Sequence, residues 1–188
     1  MIIGLSGYAR TGKDTVANFL IEKYGFSRMA FADSIRDALL ALNPSITLAD
    51  MTNVPLSSAV RKMGWETVKD LSPEVRELLQ RMGTEVGRNL FGENFWVDLL
   101  LKKALDLGTN IVIPDVRFTN EADAIRSWNG EVWRINRPGT EPVNSHSSET
   151  DLDNYPFFSM VIENSSTPEE LFLELTPIFE EISVHNGN

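Results

Sequence analysis

The chain has 188 residues, of which 42% are hydrophobic, carries a formal net charge of −10 at pH 7 and contains no cysteine. The absence of cysteine excludes disulfides, thiolate metal sites and a cysteine nucleophile, and the acidic balance argues against a nucleic-acid partner. The N-terminal apolar run is too short for a signal peptide, and no stretch approaches the ~20 apolar residues of a membrane span. We therefore expect a cytoplasmic protein with no membrane partner, built as one α/β domain with an inserted subdomain.

The first predicted strand, near residues 2–6, is followed by a glycine loop and by a helix near residues 13–23. The loop has the spacing G-x-x-x-x-G-K. In this setting the glycines let backbone N–H groups turn toward a phosphate, the helix N-terminus adds positive potential, and the lysine reaches the terminal phosphates. The sequence thus predicts a nucleotide-binding loop that comprises Gly7, Arg10, Thr11, Gly12, Lys13, Asp14 and Thr15.

The residue after Lys13 departs from the usual pattern, which has a serine or threonine whose hydroxyl holds Mg²⁺. Here Asp14 occupies that position and Thr15 follows it. A carboxylate beside a triphosphate is repulsive unless a cation lies between them, so we interpret Asp14 as a Mg²⁺ ligand, direct or through water. The alternative is that an acid in the first helical turn only favours the helix dipole.

A second strand is predicted near residues 28–32 and a helix near residues 33–42. Asp33 stands at their junction, where it would cap the helix N-terminus. A functional interpretation is that Asp33 and Arg36 face an acceptor molecule. The two interpretations are compatible.

Residues 43–108 interrupt the alternation of strands and helices and are predicted to form an all-helical insertion. It would contain a loop around Asn43–Pro55 and helices near residues 73–90 and 94–107. Two glycines, Gly83 and Gly87, lie within the first of these helical patterns and indicate close backbone approach or a local break. Arg88 is the candidate there for a phosphate contact.

A third strand, near residues 110–114, should end at Pro114 because proline cannot donate to a sheet ladder. This places Asp115 at the carboxyl edge of the sheet, where open α/β sheets bind ligands. A carboxylate there fits the Mg²⁺-supporting acid of a P-loop enzyme, and otherwise it caps a turn. Arg117 could clamp a phosphate, or else form a surface ion pair with Glu121.

The remaining elements are a helix near 119–128, strands near 131–136 and 158–163, and a helix near 168–183. A long polar loop over about 137–156, with Arg134 and Arg137 at its root, fits a lid over bound nucleotide; His146 within it is interpreted as structural or substrate-orienting. The last helix begins with a capping box on Thr167, and Pro177 should kink it or split it in two. The alternation of strands and helices predicts a mostly parallel sheet covered on both faces.

With these residues assembled, the chain resembles the bacteriophage-type deoxynucleoside monophosphate kinases of the P-loop NTPase superfamily over nearly its whole length. The resemblance rests on a set of short motifs: Gly12-Lys13-Asp14-Thr15, Phe31-Ala32-Asp33, Leu79-Gln80 through Arg88, Asp115-Val116-Arg117-Phe118 with Asn120-Glu121-Ala122, Arg134 to Pro138, His146 to Glu149, and Val161-Ile162-Glu163-Asn164. The last motif is shared more widely among P-loop kinases, where that part of the chain approaches the adenine.

The resemblance implies a three-layer α/β/α fold like that of nucleoside monophosphate kinases, with a parallel five-stranded sheet and a helical insertion, in one domain over residues 1–188. It implies Mg²⁺-dependent transfer of the ATP γ-phosphoryl group to a deoxynucleoside 5′-monophosphate. It also allows a homodimer, and a host cytoplasmic location if the chain is phage-encoded.

The expected roles fall into four groups of residues. The catalytic set is Lys13, Arg117 and Asp115, and the metal set is Asp14, Thr15 and Asp115. The ATP set adds Arg134, Arg137 and Asn164 to the glycine loop. The acceptor set is Asp33, Arg36, Arg88, Arg117 and Glu149. Two alternatives remain open: a kinase for another small phosphorylated acceptor, of the phosphomevalonate or dephospho-coenzyme A type, and a nucleotide-binding regulatory module without transfer.

Overall fold

The computed structural model describes residues 1–142 and 147–185. The predicted role of His146 therefore falls outside the described residues. The chain divides into two compact units, Met1–Ala30 with Lys102–Asn188, and Phe31–Leu101. Within the described part of the chain, no helix combines the length and the apolar character needed to cross a bilayer.

The first unit is built on a five-stranded parallel sheet, as predicted. Its strands are β1 (Ile2–Ser6), β2 (Ser27–Arg28), β5 (Ile111–Ile113), β6 (Glu131–Asn136) and β7 (Met160–Glu163). The strand order is β2-β5-β1-β6-β7, and all four neighbouring pairs are parallel. The central strand β1 is therefore flanked by β5 and β6, and the carboxyl ends of all five strands lie at one edge.

Helices cover both faces of this sheet. The helices that contain residues of the first unit are α1 (Lys13–Tyr24), α5 (Phe95–Leu107), α6 (Thr119–Ser127), α7 (Ser147–Thr150) and α8 (Pro168–His185). On one face Ile3 and Leu5 share a buried cluster with residues of α1 and α8. The intervening Gly4 points to the other face, because side chains alternate along a strand; a Cβ there would lie 2.6 Å from Ile125 Cδ1 of α6. The three-layer α/β/α prediction is thus confirmed.

The last helix confirms one expectation and contradicts one of the two alternatives for Pro177. Glu170 N donates to Thr167 Oγ1 over 3.3 Å, and Thr167 N donates to Glu170 Oε2 over 3.2 Å, which completes the predicted capping box. The predicted possibility that Pro177 splits this helix is wrong, since α8 is continuous from Pro168 to His185. Buried residues on both sides of Pro177, Leu171 and Phe179 among them, anchor the helix to the core.

The second unit is not all-helical, which corrects the prediction for residues 43–108. Its elements are α2 (Phe31–Leu42), β3 (Ser45–Thr47), β4 (Asn53–Pro55), α3 (Leu56–Leu71), α4 (Pro73–Arg81) and a π-helix (Met82–Leu90). Strands β3 and β4 form an antiparallel hairpin where a loop was expected. Helix α3 was missed because Gly64, at φ 78° and ψ 161°, interrupts its apolar periodicity.

The prediction of the second strand, at residues 28–32, was also wrong about where the strand ends. Strand β2 stops at Arg28, and α2 begins at Phe31. Asp33 is therefore not the N-cap but a residue of the first helical turn, where its charge favours the helix dipole. The error arose because a short buried apolar run has the same pattern in a strand and in a buried helix start.

The glycines of the predicted 73–90 helix do allow close approach, although residues 82–90 are π-helical rather than α-helical. Trp96 Nε1 donates to Gly83 O over 2.8 Å. A Cβ on Gly87 would overlap the Trp96 indole, whereas a Cβ on Gly83 would meet only Ile35 Cδ1, at 3.1 Å. Because Gly87 has no Cβ, the buried indole of Trp96 can pack directly against the π-helix.

Replacing Gly87 with alanine is therefore expected to lower the free energy of unfolding by about 1–3 kcal/mol, the usual range for overpacking a core. Gly83→Ala is the matched control. Its loss should be clearly smaller, because the methyl end of Ile35 can move aside. Urea unfolding followed by circular dichroism measures both. Equal losses in the two variants would contradict this account of the packing.

Candidate phosphate-binding site

The glycine loop lies between β1 and α1, as the sequence predicts. Gly7, Arg10 and Gly12 have positive φ angles of 144°, 66° and 100°. A Cβ on Gly7 would overlap the carbonyl oxygen of Ile135 and lie 2.8 Å from Thr11 Oγ1. Since the Ile135 contact is with backbone of the neighbouring strand β6, position 7 requires glycine for space as well as for its φ angle.

Lys13 is held at the opening of the loop by backbone carbonyls. Its Nζ donates to Gly7 O over 2.8 Å and to Tyr8 O over 2.6 Å. Burial is the main cause that lowers the pKa of Lys13 to about 8, and the positive charges of Arg117 and Arg134 act in the same direction. Three cationic side chains therefore lie close enough to repel one another, which is the electrostatic character of an anion site.

Arg117 is paired with Glu149, and not with Glu121 as the alternative interpretation held. Arg117 Nη1 donates to Glu149 Oε1 over 2.6 Å. The Glu121 carboxylate instead accepts the backbone N–H groups of Arg117 and Phe118, at 2.8 and 3.1 Å. This arrangement caps the start of α6 and leaves the Arg117 guanidinium for the pocket.

A pocket that is open to solvent lies beside the loop within the first unit. Its wall includes Gly7, Arg117, Arg134 and Glu149. Two arginines and one carboxylate from distant parts of the chain thus meet the glycine loop at the carboxyl edge of the sheet.

Arg134 extends from β6 and is held on several sides. Its guanidinium donates to Asp153 Oδ1 (3.2 Å) and more loosely to Ser6 Oγ (3.4 Å), and it lies 4.8 Å from the centre of the Tyr8 ring. Tyr8 OH donates to Asp153 Oδ1 over 2.8 Å. Sequence reasoning missed Tyr8 and Asp153; an aromatic residue inside the glycine loop was a signal for the first, and nothing in the sequence marked the second.

The candidate metal residues lie around the same edge. Asp14 is exposed in the first turn of α1, with Thr15 beside it, and Asp115 follows β5 by two residues. Val116 N donates to Leu5 O over 3.2 Å, which brings the segment after β5 against the end of β1. Two carboxylates and a hydroxyl are the oxygen donors that suit Mg²⁺. Among the described residues, no three His, Asp or Glu side chains form a metal-binding group.

The other predicted nucleotide contacts have different environments. Arg10 and Arg137 are exposed at the loop and after β6. Asn164 is buried, at 4% exposure, and its Nδ2 donates to Thr11 O over 2.8 Å.

The predicted acceptor residues Asp33, Arg36 and Arg88 belong to the second unit. Arg36 lies 3.4 Å from Asp33 and 3.7 Å from Glu66. Arg88, in the π-helix, donates to Glu93 O over 3.4 Å. The structure thus pairs Asp33 with Arg36, and their role toward an acceptor stays a prediction.

Comparison with known proteins identifies the family of this chain. A family model described as deoxynucleotide monophosphate kinase matches residues 1–59 and 47–175. The putative deoxynucleotide monophosphate kinase of Acanthamoeba polyphaga mimivirus is 30% identical over 198 aligned positions, which cover 99% of this chain and 100% of the relative. The chain belongs to the deoxynucleotide monophosphate kinase family.

A second relative supports the family assignment, and a solved structure supports the fold. The deoxynucleotide monophosphate kinase of Enterobacteria phage T4 is 26% identical over 233 aligned positions, covering 93% of this chain and 96% of that protein. Dephospho-CoA kinase from Campylobacter jejuni superposes with a TM-score of 0.52 at 16% identity, over 98% of both chains, and shows the shared fold alone. The predicted resemblance is confirmed, and the protein is a phosphotransferase of the P-loop kinase fold that acts on nucleotides.

Polyphosphate binding to this kinase family member is expected to weaken as the pH rises above about 8, the pKa of Lys13 in the free site. A bound phosphate favours the charged ammonium and so raises that pKa. Above the free-site value, binding must take up a proton, and the affinity falls by up to about tenfold per pH unit.

Calorimetric titration of inorganic tripolyphosphate on both sides of this pH measures the effect. Repeating it in two buffers that differ in ionisation enthalpy counts the protons taken up. Lys13→Arg is the control, since a guanidinium stays charged and should remove the proton uptake. An affinity of the unsubstituted protein that stays constant across this pH range would show that Lys13 does not titrate there.

Proposed function

We propose that this protein transfers the γ-phosphoryl group of ATP to a deoxynucleoside 5′-monophosphate, giving ADP and a deoxynucleoside diphosphate. Family membership supports a nucleotide kinase, and the donor and products are our proposal. The observation that carries it is the convergence of Lys13, Arg117 and Arg134 at the glycine loop: Lys13 Nζ donates to the Gly7 carbonyl, and both arginines line the pocket beside Gly7.

The proposed donor site uses the glycine loop and its lysine. The backbone N–H groups of the loop and Lys13 would bind the β- and γ-phosphates, and Arg10, Arg134 and Arg137 would add charge along the triphosphate. In the free structure the ammonium of Lys13 rests on the Gly7 and Tyr8 carbonyls. Phosphate oxygens would replace those carbonyls as its partners.

Mg²⁺ fits the oxygen donors around the loop. Asp14 or Thr15 would hold it, with Asp115 behind them. When bound, the ion would neutralise phosphate charge and help orient the triphosphate.

The acceptor phosphate is already ionised at neutral pH, so the reaction requires no general base. Catalysis then depends on alignment and on charge neutralisation. Arg117 would bind the acceptor phosphate, and Glu149 would hold Arg117 in place through their 2.6 Å contact. From the sequence we also propose acceptor contacts by Asp33, Arg36 and Arg88.

The test is ADP release from Mg·ATP with each of the four common deoxynucleoside monophosphates, their ribonucleotide counterparts and a no-acceptor control. ADP release that depends on a deoxynucleotide is the expected result and identifies the base. If no acceptor in this panel causes ADP release although ATP still binds, the proposed class of acceptor is overturned. In that case dephospho-coenzyme A and phosphomevalonate are the next acceptors to assay.

A further inference from the structure

Asn164 is a buried polar side chain that connects the last strand of the sheet to the glycine loop. It follows β7 directly, and its backbone N–H donates to Asn136 O of β6 over 2.8 Å. Its side-chain Nδ2 donates to Thr11 O over 2.8 Å, although the two residues are 153 positions apart. The residue is thus fixed by hydrogen bonds at its backbone and at the end of its side chain.

This contact determines how one peptide of the loop is oriented. A trans peptide is planar, and its C=O and N–H groups point in opposite directions. Because Asn164 holds the Thr11 carbonyl on its own side, the N–H of the same peptide, which belongs to Gly12, must point away from Asn164. A backbone N–H that faces a bound phosphate is what a phosphate-binding loop supplies.

The packing at Gly12 supports the same conclusion. A Cβ on Gly12 would overlap Asn164 Nδ2, so the absence of a side chain at position 12 lets the amide approach the loop. Asn164 is only 4% exposed, which leaves almost no surface of the side chain for a direct nucleotide contact.

We infer that Asn164 is a positioning residue: it acts on the triphosphate through the Thr11–Gly12 peptide, and not by touching the adenine. This inference rests on the proposed function, since it assumes that the loop binds the phosphates of ATP. It refines the sequence-based prediction that Asn164 is an ATP contact.

The test compares three probes that contain different parts of the nucleotide: Mg·ATP, inorganic tripolyphosphate and adenosine. Asn164→Asp keeps the size of the side chain but replaces the N–H donor with an oxygen that faces another oxygen. Asn110→Asp is the matched control, because Asn110 is exposed and its Oδ1 only accepts a hydrogen bond from the N-terminal amine, over 2.8 Å. Calorimetry measures the first two probes, and ligand-observed NMR measures adenosine.

For Asn164→Asp we expect the affinities for tripolyphosphate and Mg·ATP to fall together by about tenfold or more. The affinity for adenosine should not change, and Asn110→Asp should match the unsubstituted protein with all three probes. Loss of adenosine binding with tripolyphosphate unaffected would show a direct base contact and overturn the inference. A normal triphosphate affinity in the variant would overturn it as well.

A second readout separates positioning from a general structural role. In the Asn164→Asp variant, the new carboxyl group would again donate a hydrogen bond to Thr11 O once it is protonated, and burial raises the pKa of such a group. Lowering the pH should therefore restore tripolyphosphate affinity in Asn164→Asp, relative to the unsubstituted protein at the same pH, but not in Asn164→Ala. Equal pH dependence in both variants would overturn the inference. An unsubstituted protein that binds neither phosphate probe would instead overturn the proposed function, and this inference with it.

Discussion

Lys13→Ala is expected to lower the turnover number by about 10²–10³, the scale of losing one electrostatic stabiliser of a transition state. Lys13 carries the ammonium nearest the loop, held by Gly7 O and Tyr8 O at 2.8 and 2.6 Å. Alanine would leave the developing charge on the transferred phosphoryl group without this partner. Steady-state ADP release at saturating Mg·ATP and acceptor measures the effect on turnover directly.

Lys23→Ala is the control for this substitution. Lys23 lies in the last turn of the same helix, where it is exposed and donates to Thr176 Oγ1 over 2.8 Å. Removing it deletes the same charge from α1 without reaching the loop, so turnover should stay normal. Near-normal turnover of Lys13→Ala itself would overturn the assignment of the loop as the phosphoryl-transfer site.

In the free site the environment of Lys13 disfavours its positive charge, and a bound phosphate would favour it. Burial is the largest cause that lowers the pKa of Lys13; the charges of Arg117 and Arg134 add to it, while Asp14 and Glu149 act to raise the pKa. Glu149 and Asp153 each pair with one of the arginines, at 2.6 and 3.2 Å. These carboxylates hold the cations in position, but the balance at Lys13 remains unfavourable to its charge. A polyphosphate would add the missing negative charge.

The part of the site that the sequence predicted is contiguous in the chain. Strand, glycine loop and helix follow one another from residue 2 to residue 24, and each residue type has a local reason to be there. Asp115 was placed correctly at the sheet edge for a similar reason, because Pro114 ends the strand before it. The Arg117–Glu149 pair and the Tyr8–Asp153–Arg134 group join distant segments, and no local pattern encodes such contacts.

The second unit shows why the fold prediction failed where it did. Strands β3 and β4 have three residues each, too few for a period-two pattern to be distinguished from a loop. Gly64 divides the pattern of α3 into two short pieces that resemble no helix of normal length. The centre of the five-stranded sheet was predicted more securely, since β1, β5 and β6 are largely buried apolar runs. Helix α1 also ends at a glycine and α8 begins with a capping box, which are clear boundary signals.

Gly7→Ala is expected to lower kcat/KM for ATP by about 10² or more, because a misplacement of about 1 Å in a catalytic site can cost that much. Gly7 has φ 144°, which L side chains rarely adopt, and a Cβ would overlap the Ile135 carbonyl oxygen. That oxygen belongs to β6 in the sheet and cannot move aside. The loop would have to shift, and with it the carbonyl on which Lys13 rests. Initial rates at varied ATP and saturating acceptor measure the loss.

Gly25→Ala is a control for placing a side chain at a glycine of positive φ where nothing overlaps it. Gly25 ends α1 with φ 70°, but a Cβ there would meet nothing within 4 Å. This control should lose about 1–2 kcal/mol of unfolding free energy from the left-handed conformation and keep its activity. If Gly7→Ala lost only a similar amount of stability and bound ATP normally, the contact between the loop and β6 would not matter for function. If it kept the fold and lost ATP affinity, the backbone of β6 would be the support that gives the phosphate-binding loop its shape.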